Sequence, residues 1–185
     1  MWDVRRATRL VIFASENCHQ MAGNSAWKRI WHGVPGALRK WIFVRWSLLS
    51  RAMTLGVRAV VVDEQDRVLL IRHTYVKGWH LPGGGVERGE TFDQALRKEL
   101  LEEADIHQVE NPKLFSLYRN LRTSKYDHVA LYIVRDWQGS GVIEPNWEIA
   151  ESGFYSLDAL PEGATDSTKD RLAEVFQGQS VDQYW

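Results

Sequence analysis

Residues 84–106 read GGVERGETFDQALRKELLEEADI, a glycine-rich loop leading into a segment that carries Glu99, Glu102 and Glu103. Thr91 followed three residues later by Gln94 forms a capping box, in which a hydroxyl and an amide satisfy backbone donors left free at a helix start. At the other end Asp105 stands just past the last periodic residue, where a left-handed backbone is usual and Gly, Asn or Asp tolerates it best. A helix is therefore expected from near Thr91 to near Ala104. Its helical period sets Phe92, Ala95, Leu96 and Leu100 in one apolar stripe, with Glu99 and Glu103 in the middle of it and Glu102 at its edge. A carboxylate on a core-facing surface costs several kcal/mol unless it is paired or bound to a metal, so something cationic is expected opposite. The bland alternative is a charged surface helix with accidental spacing.

Carboxylate oxygens with little histidine or thiolate nearby suit a hard divalent cation, Mg²⁺ or Mn²⁺, and a phosphate is the matching substrate. The preceding run Leu81-Pro82-Gly83-Gly84-Gly85 lets backbone approach a ligand closely and offers carbonyls to a metal or amides to an anion. Together, loop and helix resemble the Nudix box: Gly, five residues, Glu, seven residues, Arg-Glu, an aliphatic, any residue, Glu-Glu, any residue, Gly, aliphatic. Gly84, Glu90, Glu99, Leu100, Glu102, Glu103 and Ile106 match at the required spacing, while Lys98 replaces the usual Arg and Asp105 the usual Gly.

This resemblance implies a Mg²⁺- (or Mn²⁺-) dependent hydrolase that cleaves the diphosphate linkage of a nucleoside diphosphate joined to a further group, such as ADP-ribose or another nucleotide sugar, by attack of water on phosphorus. Under it Glu102 and Glu103 are metal ligands, Glu99 is a further ligand or the general base, and the carbonyl of Gly83 or Gly84 completes the coordination. Glu90 is assigned a structural role, pairing with Lys98 or fixing the loop. Lys98 cannot make the planar two-pronged contact of Arg, so turnover is reduced if that Arg normally orients the catalytic glutamate. Other readings are a pyrophosphohydrolase of oxidised nucleoside triphosphates and a low-activity binding or regulatory module. An RNA 5′-end hydrolase is a further one, against which the acidic catalytic half counts.

Many family members supply another acidic group from a loop beyond the box, and Glu148 and Glu151 are the candidates, against the alternative of a solvated loop. For the substrate, Arg72 and Lys77 are candidates to meet phosphate, and Tyr75 or Trp79 to stack on a base. Trp79 suits the core better. His73 and His80 read as packed or hydrogen-bonded histidines, with contact to substrate as the alternative, and Asp127-His128 as a turn and strand edge, with a catalytic role as the lesser alternative.

Around the box, residues 56–62 and 67–73 read as strands of a hairpin across Asp63-Glu64-Gln65-Asp66. Two more strands are expected at residues 113–118 and 128–134, a short one at Phe154-Tyr155, and a closing helix over 165–176 with Leu172 and Val175 inward. This order gives an α/β architecture. The resemblance sharpens it to an α/β/α sandwich with a mixed sheet over residues 53–177, followed by a short tail at 178–185.

The net charge of −1 hides an asymmetry: residues 1–52 carry nine Lys or Arg against two acidic residues, and the rest of the chain is acidic. Five of the nine tryptophans (Trp2, Trp27, Trp31, Trp41, Trp46) lie there as well. Pro35 can open a helix reaching about Ser50. Such a basic, tryptophan-rich helical extension suits packing on its own acidic domain or on a second copy in a homodimer; peripheral contact with an anionic membrane is the alternative. Nucleic acid is not the expected partner. The earliest residues lack periodicity and are expected to be disordered, and Met21 is a second candidate start. One cysteine, Cys18, cannot form an internal disulfide, no apolar run reaches the length of a membrane span, and residues 10–14 are too short for a signal peptide, which together suggest the cytoplasm.

Overall fold

The computed structural model describes residues 53–185, which form a compact unit. The expectations for the basic extension, its Pro35 helix and Cys18 lie outside the described residues.

Seven strands and two helices follow in the order β1 (Thr54–Val61), β2 (Val68–His73), α1 (Phe92–Ala104), β3 (Ile106–Glu110), β4 (Lys113–Arg119), β5 (Asp127–Val134), β6 (Asp136–Gly139), β7 (Ile149–Tyr155) and α2 (Asp166–Phe176). A mixed sheet orders β1-β5-β4, with β1 parallel and β4 antiparallel to β5. Two antiparallel pairs, β2 with β7 and β3 with β6, complete the strands. Successive residues of a strand face opposite ways. In β1 this sends Val57, Ala59 and Val61 into a core with Ala95, Leu96, Leu100 and Ala104 of α1. Val60 and the following Val62 enter a second core with Tyr118, Leu131 and Leu172 of α2. One core under each helix is the physical content of the α/β/α sandwich, and the expected fold class is the observed one.

The helix boundaries follow the caps. Thr91 and Gln94 form the reciprocal capping box, and Asp105 at φ 51° ends α1, its N–H reaching the carbonyls of Leu100 and Leu101. In α2 the Thr165 side chain accepts from the Thr168 N–H, Leu172 is buried, and Val175 packs against the same core.

One expectation needs correction and one strand pair is new. The turn at Asp63 exists, with the Gln65 and Arg67 N–H groups on Asp63 Oδ1, but β1 and β2 share only a bridge at Val62 and Val68. They then diverge into different pairings, because β1 buries both faces beside β5 whereas β2 closes against β7. The pair β3–β6 was not expected from sequence. IHQVE and DWQG are too polar and short to signal strands, and they pair because the left-handed Asp105 turns the chain from α1 directly into β3, burying Ile106 and Val109.

Candidate active site

Glu99 and Glu103 lie one turn apart on α1, so both project from the same face. Glu103 is buried at 4% exposure, and its Oε2 accepts the Gly83 N–H at 2.6 Å. The bond favours the anion, but burial outweighs it and pushes the Glu103 carboxyl up to about 8, with Arg58 pulling it back and Glu99 and Glu148 adding to the rise. Glu99 is half-buried and also raised, by burial first, with Lys98 opposing and Glu102 reinforcing. Glu102 is exposed at the rim.

The glycine loop is shaped around these carboxyls. A Cβ on Gly84 would stand 2.5 Å from the Glu99 carboxyl, and one on Gly83, at φ 134°, 2.2 Å from the Val57 carbonyl. Only glycine fits at 83, where the obstacle is backbone, whereas a side chain at 84 would push the Glu99 carboxyl out of its position. Val57 donates to the Gly84 carbonyl and Ala59 to that of Pro82, both at 2.9 Å. Between them the Gly83 carbonyl accepts no hydrogen bond from the described residues, so of the two candidate carbonyls it is the one left for a cation.

From the other side come β2 and the start of β7. The register pairs Arg72 with Glu151 and, across a bulge at Ala150, His73 with Ile149. The Thr74 N–H then takes the Glu148 carbonyl, which sets Glu148 beside His73. One ligand atom from each of His73, Glu103 and Glu148 lies within 4.8 Å of the other two. Tyr75 Oη donates to Glu148 Oε1 at 3.3 Å. Converging carboxyls that include a buried one, a carbonyl left open and an imidazole form a donor set that fits a divalent cation.

The remaining candidates lie elsewhere. Arg72 and Glu151 pair with each other at 2.8 Å on the surface, and the Arg72 guanidinium also covers Trp79. Trp79 is buried, edge-on to Tyr155. Lys77 is exposed, and its carbonyl meets His80 Nε2. Asp127 is structural, accepting from Thr54 and Asn120. Sequence reasoning missed Arg58, a cation inside the site's field whose Nη1 donates to the Leu81 carbonyl. The available signal was one charged residue in an otherwise apolar strand. It also missed Trp147, 83% exposed directly before Glu148, with Thr74 Oγ1 donating to its carbonyl.

Lys98 Nζ lies 3.1 Å from Glu87, 3.3 Å from Glu90 and 3.9 Å from Glu99, so it ties the loop to α1 and holds Glu99 toward the anion. Lys98→Met removes a cation beside a carboxyl, which raises that carboxyl further. The acid limb of a pH–rate profile is expected to move upward, with the rate on that limb falling about threefold, and Lys98→Arg is expected to keep it in place. An unmoved limb in Lys98→Met would remove Lys98 from the Glu99 environment.

The NUDIX domain profile matches residues 53–176, and the chain belongs to this family. Among solved structures it is similar to a MutT NUDIX hydrolase from Burkholderia pseudomallei, with TM-score 0.58, 25% identity, and coverage of 66% of this chain and 97% of that one. Among curated proteins it is 28% identical over 125 residues to a MutT-like protein of Streptomyces ambofaciens, covering 68% of this chain and 78% of that protein. It is 46% identical over 62 residues to the 8-oxo-dGDP phosphatase of Homo sapiens, covering 32% of this chain. That match spans 19% of the human protein's length.

Proposed function

We propose that this protein is a Mg²⁺- or Mn²⁺-dependent pyrophosphohydrolase that cleaves the diphosphate linkage of a nucleoside diphosphate joined to a further group. The observation that carries this reading is the convergence of Glu103, Glu148 and His73, whose ligand atoms lie within 4.8 Å of one another, beside the glycine loop that donates the Gly83 N–H to Glu103. Glu102, Glu103, Glu148 and the Gly83 carbonyl would hold the cation, with Glu99 as a further ligand or the general base. A bound divalent cation neutralises phosphate oxygens and lowers the pKa of water. As the base, Glu99 accepts the proton of the attacking water, and burial raises its proton affinity above that of an ordinary carboxylate, in the direction this task needs. Arg58, whose charge reaches Glu99 and Glu103, would offset part of the negative charge that a phosphate brings to the site. Tyr75 and Trp147, 66% and 83% exposed beside Glu148, offer faces on which a base can stack.

A second reading is hydrolysis of oxidised nucleoside di- or triphosphates, favoured by the 46% identity shared with the human 8-oxo-dGDP phosphatase over 62 residues. Both readings use the same site and differ in what occupies its rim. A cytoplasmic setting is part of the proposal, as are a homodimer or a peripheral membrane contact through residues 1–52; no described helix is long and apolar enough to cross a membrane.

The test is product identification by ³¹P NMR across nucleotide sugars, dinucleoside polyphosphates, and normal and oxidised nucleotides, with Mg²⁺, Mn²⁺ or chelator. Chelator-sensitive release of a nucleoside monophosphate from a nucleotide sugar is expected. Cleavage confined to oxidised nucleotides moves the assignment to the second reading, and binding without turnover makes the protein a ligand-binding module.

A further inference from the structure

His73 has no role in the family pattern and none in the core. It closes β2 at 8% exposure, and four residues along the strand from Leu69 it turns toward α1. A buried histidine with a structural role has its ring nitrogens hydrogen-bonded. Here Nδ1 lacks a partner among the described residues, and Nε2 stands 3.7 Å from Glu103 Oε1, beyond hydrogen-bond reach. The ring is held by packing, its centroid 5.1 Å from that of Tyr75 and 6.0 Å from that of His80. Tyr75 in turn tethers Glu148, so helix, strand and loop together fix the three groups.

From this geometry we infer that His73 is a nitrogen ligand, sharing one divalent cation with Glu103 and Glu148 and biasing the site toward Mn²⁺ over Mg²⁺. A cation about 2.1 Å from each donor holds its ligand atoms about 3.0 to 4.2 Å apart. The ligand atoms now lie within 4.8 Å of one another, so binding would draw them together by a fraction of an ångström to about an ångström. Mg²⁺ takes oxygen ligands almost exclusively, whereas imidazole suits later divalent ions, so one nitrogen in the set shifts relative affinity without altering charge. This inference rests on the proposal that the glutamates bind a cation.

The test uses the full chain with Mn²⁺ as probe. Electron spin-echo modulation of bound Mn²⁺ is expected to show a directly coordinated ¹⁴N, replaced by ¹⁵N when histidine alone is labelled and absent in His73→Gln. Mn²⁺ affinity in that variant is expected to fall about tenfold, with Mg²⁺ affinity changed less than twofold. Mn²⁺ bound to the wild type without imidazole coupling, or coupling that persists in His73→Gln, overturns the role of His73 and leaves the glutamate site standing. Failure of the wild type to bind Mn²⁺ at all overturns both. If His73→Gln does not fold, His73→Asn is read in its place, because the chain has six histidines and labelling alone does not single out His73.

Discussion

Glu103→Gln is expected to lower turnover by about 10³-fold and, in chelator, to make the protein more stable above pH 8 than the wild type. The first effect follows from removing a charge at the point where Gly83, His73 and Glu148 converge, while an amide oxygen can still accept the Gly83 N–H. The second follows from proton linkage. In the folded chain the Glu103 carboxyl is raised from 4.5 to about 8, so between these values the folded state holds a proton that the unfolded state has lost. Its contribution to stability is fully present below the unfolded value and is lost as pH rises through about 8. Above that pH both states are ionised and the wild type bears the cost of a buried anion, on the order of a few kcal/mol. Gln bears none. Melting temperatures from pH 5 to 9 in chelator should therefore decline for the wild type and stay flatter for the variant. A divalent cation should raise the wild-type value more at pH 8 than at pH 6, since fewer protons compete for the carboxyl. Parallel curves would mean that Glu103 is solvated and the site open, and near-normal activity would remove Glu103 from the reaction.

Glu174→Ala should unfold the protein at a temperature lower by about 10 °C, a loss of about 3–5 kcal/mol. Glu174 and Arg171 are both nine-tenths buried or more and pair at 2.7 Å. Glu174 Oε1 also accepts the Asp182 N–H, and Oε2 accepts the Tyr118 hydroxyl at 2.7 Å. Arg171 donates to the Tyr184 carbonyl at 2.6 Å and lies over the rings of Tyr118 and Trp185. The last residues then hydrogen-bond Arg119 at the free edge of β4. Truncating Glu174 takes one acceptor from a buried guanidinium, whose charge is then unpaired, and the acceptors from a phenol and an amide, and this penalty exceeds anything the pair contributes when intact. Replacing both partners, as Arg171→Met with Glu174→Leu, should recover more than half of the loss, whereas Glu174→Gln should fall between. Thermal unfolding with carboxypeptidase susceptibility reads both stability and release of the C-terminal residues. A wild-type melting temperature in Glu174→Ala would show the buried pair to be inert.

These two clusters differ in how far the chain alone reveals them. The α1 glutamates are local: capping residues, helical period and the glycine loop lie within 23 consecutive residues, and local backbone preferences decide their arrangement. The same holds for the Lys98–Glu90 contact, the left-handed Asp105 and most strand positions. His73, Arg58 and Glu148 reach the site from three separate strands or strand ends, and a one-residue bulge at Ala150 sets which acidic residue in or just before β7 arrives. Register of that kind depends on long-range pairing and core packing, which residue spacing does not encode. Arg72 illustrates the cost: its position beside a phosphate-seeking loop is plain in the sequence, yet cross-strand register gives it to Glu151.

What the sequence by itself determined is the helix that carries three carboxylates and the glycine loop that meets it, because both rest on contacts between near neighbours; the family and the sandwich class followed from the resemblance that this local segment carries. Only the tertiary structure decided that Glu103 is buried against Gly83, that Glu148 rather than Glu151 joins it, that His73 turns inward, and that Glu174 clamps the C-terminus, because each depends on surfaces brought together from distant parts of the chain.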